Sequence, residues 1–182
     1  MKKILILLLA SLAGSLGLGA APQQASDPQV EKVLVIFKTH LDIGFTDLSS
    51  KVEQRYIDYY IPKAIKVARR LREEGGDERY VWTTGAWLVD AYLRQATPEA
   101  AAELEEAIRR GDIVWNGVPY TVESESMNRA LFEGILRLSQ RLDARFGKHT
   151  SAAKMTDVPG HTRSIVPLLS DCLLYTSDAA DD

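Results

Sequence analysis

Four short apolar or β-branched runs, at residues 33–37, 79–84, 112–115 and 152–156, are each followed by a stretch with helical periodicity, and no tight turn joins one run directly to the next. Strands separated by helices must be connected by crossovers, so they lie parallel in one sheet with helices packed against it. The fold class is therefore α/β, with the polar loop after each strand placed at the C-terminal edge of the sheet, where such folds carry their chemistry.

The helices can be followed in order. Ser49 or Ser50 is positioned to cap a helix carrying Val52, Tyr56 and Tyr59, which Pro62 interrupts before the pattern resumes with Ile65, Ala68 and Leu71 and closes at Gly75-Gly76. The spacing predicts one kinked helix or two short ones, with the tyrosines as packing. A second helix runs from Gly85 to Leu93. Thr97-Pro98-Glu99 starts a third, with an apolar face of Ala100, Leu104, Ala107 and Ile108, and Gly111 ends it. Glu123 and Glu125 suit the start of a long helix bearing Leu131, Ile135, Leu138 and Leu142, although either is also free to be an active-site carboxylate. A short helix through Leu169 follows the fourth strand.

The most informative loop is Lys38-Thr39-His40-Leu41-Asp42-Ile43-Gly44-Phe45. Residues two apart in an extended segment point the same way, so the His40 imidazole and the Asp42 carboxylate converge on one point. A neutral nitrogen beside an anionic oxygen suits a divalent metal such as zinc. The same pair is equally consistent with a histidine bonded to a nearby cap and an aspartate that opens a turn. Gly44 permits a sharp turn, and Phe45 offers an apolar face beside such a metal.

A net charge of -3 with basic residues dispersed along helix faces excludes the concentrated positive stripe of a nucleic-acid binder. Met1-Lys2-Lys3, an apolar run from Ile4 to Leu18 and small residues up to Ala21 have the form of a signal peptide over residues 1–21, too short to span a bilayer. Export to a bacterial periplasm or beyond is expected, with no membrane contact after cleavage. Residues 22–31 form a polar leader. Residues 172–182, which include the lone cysteine Cys172, resemble the translation of a sequencing adapter and are left out of the fold reading. One cysteine allows no internal disulfide, so the core alone must hold the fold.

The first loop acquires a partner in Thr156-Asp157-Val158-Pro159-Gly160-His161, which runs into Val166-Pro167-Leu168-Leu169. Together the two motifs resemble glycoside hydrolase family 38, the retaining α-mannosidases. The likeness spans residues 32–171 as the N-terminal part of a truncated catalytic domain and implies an incomplete (β/α) barrel-like parallel sheet. It further implies a zinc ion held by His40, Asp42 and Asp157, with Asp157 also the catalytic nucleophile and a carbohydrate as substrate. The fourth zinc ligand and the acid/base carboxyl have no counterpart among these 182 residues, so the fragment is expected to be inactive alone. Phe45 and His161 would stand close to the substrate or behind the ligands. A polysaccharide deacetylase-like metallohydrolase and a non-catalytic periplasmic carbohydrate-binding protein remain the alternatives.

Overall fold

A computed structural model describes residues 35–155, 157–158, 160–172 and 175–176. The signal peptide, the polar leader, Val33 and Leu34 of the first predicted strand, Thr156, Pro159 and most of 172–182 lie outside the described residues.

Three strands, β1 (Phe37–Lys38), β2 (Trp82–Gly85) and β3 (Ile113–Asn116), form a parallel sheet in the order β1-β2-β3. Phe37 pairs with Trp82, and Trp82 with Ile113. Burial alternates along β2 and β3, with Trp82, Thr84, Ile113 and Trp115 turned to the helical layer. This is the period-2 pattern of a sheet covered on one face. β2 and β3 begin later than the predicted runs, at Trp82 and Ile113, and end one residue beyond them, at Gly85 and Asn116. Asp112 is the reason at β3: its carboxylate, 1% exposed, takes hydrogen bonds from Arg72 Nε at 2.7 Å and Arg110 Nε at 2.9 Å and so precedes the strand. That hydrogen bond holds the Arg72 guanidinium above the usual arginine range. The clamp closes the N-terminal end of β3.

The helices are α1 (Ser49–Arg55), α2 (Ile61–Glu73), α3 (Ala86–Gln95), α4 (Pro98–Arg110), α5 (Arg129–Phe146) and α6 (Ile165–Asp171). Between α1 and α2 the chain makes a π-helical turn, Tyr56–Tyr60, in place of a kink. Pro62 has no amide to give, and the widened turn, in which Ile61 N–H donates to Tyr56 O, carries the helix through it. Neither Ser49 nor Ser50 caps α1, because Leu48 occupies that position. Thr97 caps α4 as the sequence predicts, its Oγ1 accepting from Ala100 N, and Gly111 ends it at φ 82°. Capping of α5 falls to Asn128, whose Oδ1 accepts from Leu131 N at 2.9 Å, instead of to Glu123 or Glu125. An asparagine is the better N-cap, because its short side chain reaches the free amides that a glutamate overshoots.

One core lies between the sheet and α2, α3 and α4, where Ile65, Val89, Leu104 and Ile108 are fully buried. Each such side chain contributes about 1.5–3 kcal/mol through removal from water. A second core gathers Val118, Phe132, Leu136, Ile165 and Leu169, fastening α5 and α6 beneath the loop after β3. Strand β4 (Ala152–Ala153) pairs in parallel with β5 (Tyr175–Thr176), and Gly117 N–H donates to Ala152 O at 2.9 Å, which ties β4 to the end of β3. The architecture is α/β with helical crossovers, and the described residues form no closed barrel. No described helix is long and apolar enough to cross a membrane.

Candidate metal centre

Past β1 the chain stays extended for one more residue, since Thr39 N–H donates to Thr83 O at 2.9 Å. His40 is thus delivered at the C-terminal edge of the sheet, and its carbonyl accepts the Tyr56 hydroxyl at 3.1 Å. The π-helical turn therefore grips the backbone of the first loop. Gly44 makes the reversal at φ 79°, a left-handed conformation that favours glycine. Asp47 closes the loop onto α1 by accepting from Leu48 N at 2.8 Å and pairing with Arg55.

The second loop leaves β4 and reaches Asp157 at φ 62°, the one non-glycine residue with positive φ among the described residues. Its far end is held by Ser124, itself 1% exposed. Ser124 Oγ accepts from Thr162 N at 3.0 Å and lies 3.1 Å from His161 Nδ1. A hydroxyl that accepts one hydrogen bond is free to donate its own proton, so the arrangement favours an acceptor Nδ1 and a protonated Nε2 on His161.

Between these loops His40 Nε2 lies 3.0 Å from Asp42 Oδ1 and 3.2 Å from Asp157 Oδ2. The three donor atoms are all within 4.8 Å of one another. Adjacent ligands of a tetrahedral zinc ion stand about 3–3.5 Å apart, given metal–ligand bonds near 2.0–2.2 Å. One imidazole and two carboxylates are a donor set that suits zinc and other divalent ions, and three protein ligands leave a position open. The residues present therefore fit a divalent cation. The side chains of His40, Asp42 and Asp157 are 40%, 38% and 73% exposed, so a bound ion would face an approaching ligand.

His40 and Asp157 do not meet across neighbouring strands, because β2 and β3 pair beside β1 while β4 belongs to a second sheet. Their loops reach over the sheet edge instead. A cleft of about 580 Å³ opens beside the three donors, lined by Leu41, Phe45, Trp87, Tyr120 and Thr121 together with Asp42 and Asp157. Phe45 is 87% exposed at its mouth. A cavity of similar size, about 600 Å³, lies on the uncovered face of the sheet along Ile36, Val114 and Ala152. It is lined by none of the three donors, whereas the first cleft is lined by Asp42 and Asp157. His161 stands outside the donor cluster and engages Ser124, while His149 is an exposed loop residue.

Tyr56, which the spacing marks as packing, holds the first loop, and Trp87, Tyr120 and Ser124 also shape the site. Tyr120 alone carries a signal, since it follows the C-terminal end of a strand. Trp87 and Tyr56 are indistinguishable from helix packing by spacing, and Ser124 acts on a loop 38 residues away.

Residues 31–173 match the model of the family described as Glycosyl hydrolases family 38 N-terminal domain. No curated protein matches the chain.

Proposed function

Because the chain belongs to glycosyl hydrolase family 38, matched over its N-terminal domain, we propose that it is part of an exported, zinc-dependent, retaining glycosidase of α-mannosidase type. The observation that carries this reading is the convergence of His40, Asp42 and Asp157 from two loops far apart in the chain. Export rests on the Lys2-Lys3 start and the apolar run that follows it.

His40, Asp42 and Asp157 would hold the ion. When bound, it supplies Lewis-acid polarisation of sugar hydroxyls beside the reacting carbon. Asp157 uses Oδ2 in the donor cluster, which leaves Oδ1 to attack the anomeric carbon. A C–O bond to the aspartate forms as the glycosidic bond breaks, the leaving oxygen takes a proton from a second carboxyl group, and that group then deprotonates the water that releases the sugar. Phe45 packs against the apolar face of the ring, and His161, fixed by Ser124, keeps the Asp157 loop in place. Asp42 and Asp157 are the only carboxylates among the described residues that line the cleft. Turnover needs a further carboxyl group at this cleft, so on this reading the 182-residue chain binds metal and sugar without hydrolysing it.

The test is titration of the chelator-stripped chain with zinc chloride. One ion per chain is expected, with His40→Ala and Asp157→Asn each weakening it by more than about 100-fold, the upper end for loss of a mere supporting residue. Failure to bind any divalent ion would overturn the metal assignment. Hydrolysis of an aryl α-mannoside by the purified 182-residue chain would overturn its inactivity.

A further inference from the structure

Besides Phe45, the cleft is lined by two elements that the catalytic residues do not use. Trp87 is the second residue of α3, and Tyr120 lies in the loop after β3. They are brought together by a backbone contact: Trp87 N–H donates to Pro119 O at 3.3 Å. Gly85 makes that contact possible, since a Cβ at this position would overlap the Pro119 carbonyl. The loop is also fixed from behind, where the buried Ser139 hydroxyl donates to Gly117 O at 2.6 Å and Gly117 N–H is bound to Ala152 O. Tyr120 is thus 38% exposed on a braced segment, with Trp87 half-buried beside it. Two aromatic faces held in place next to two carboxylates form a surface that takes the apolar C–H face of a sugar ring while its hydroxyls meet anionic oxygens.

We infer that Trp87 and Tyr120 form a second sugar subsite, so that the cleft takes a glycoside of at least two rings rather than a single monosaccharide. This rests on the glycosidase reading above. Pockets of about 300–1,000 Å³ bury drug-sized ligands, and the cleft of about 580 Å³ is lined both by the carboxylates and by the two aromatic rings. A ring seated at Asp42 and Asp157 leaves the next one against Trp87 and Tyr120. Preorganisation of the pair by Gly85 and Ser139 lowers the ordering cost of binding.

The probes are α-mannobiose and methyl α-D-mannopyranoside, titrated calorimetrically into the zinc-loaded 182-residue chain. Trp82 and Trp115 are each 6% exposed, which makes Trp87 the tryptophan whose emission reports on the cleft. The disaccharide is expected to bind about tenfold more tightly than the monosaccharide and to shift tryptophan emission. Tyr120→Ala and Trp87→Ala should each remove that tenfold advantage and leave zinc affinity unchanged. Tyr120 is exposed enough that its replacement keeps the fold, should Trp87→Ala fail to. Equal affinity for the two sugars, or an advantage that survives both substitutions, overturns the subsite and leaves the glycosidase reading intact. Loss of zinc binding in the parent chain overturns the reading on which the subsite stands, and the subsite with it.

Discussion

Asp157 holds a left-handed backbone, which costs a residue with a Cβ about 1 kcal/mol, less for aspartate than for most. The neighbourhood must supply that energy, and Ser124 anchors the far end of the same loop at His161 and Thr162. Ser124→Ala removes a buried hydroxyl with two partners and is expected to destabilise by about 1–2 kcal/mol. The loss should be local: amide hydrogen exchange at Thr162, which donates to Ser124 Oγ, becomes fast while Leu104 in α4 stays protected. Uniform loss of protection would mean that Ser124 serves the whole fold instead. His40 and Asp42 stand out in the sequence because residues two apart in an extended loop point the same way, whereas Asp157 is marked only by the resemblance of its motif; the structure brings all three together. Ser124 does not stand out, because a serine in a polar segment gives no sign of which distant backbone it will bind. Glu123 and Glu125 drew the capping role by their charge, whereas reach gave it to Asn128.

Among the elements, α3 carries both the cleft wall and a buried phenol. Tyr92 is 4% exposed, and burial, reinforced by the charges of Glu103 and Asp58, raises its hydroxyl above the ordinary 10.0. A folded-state value above the unfolded one gives stability that is complete below pH 10.0 and is lost as pH rises through the folded value. Urea midpoints of the chain should therefore fall between pH 9 and pH 11, and Tyr92→Phe should fall less steeply. Parallel slopes in the two proteins would refute the assignment. The π-helical turn teaches the same point about legibility. Pro62 announces a break in a helical pattern, yet helical residues run without a gap from Ser49 to Glu73 through the widened turn, and spacing alone does not show that Tyr56 in that turn reaches the His40 carbonyl.

At the scale of the molecule, parallel pairing was readable from the absence of tight turns between strands. Strand order was not, since it depends on which helical faces pack together. Among the described residues β1 lies at an edge of the sheet, with Val35 and Ile36 each 72% exposed and Phe37 47% exposed. Such an apolar edge invites pairing with another chain. Sedimentation should show self-association that grows with concentration, and Ile36→Lys should suppress it; a chain that stays monomeric throughout would rule the edge out as its cause. Finally, the Arg72–Asp112–Arg110 clamp lies at the N-terminal end of β3, whereas His40, Tyr120 and Asp157 all lie in loops that follow strands. The clamp is thus physically separate from the loops that bring the candidate donors together. Substitutions at exposed positions of those loops, such as Phe45, can therefore accumulate over generations without loosening the clamp.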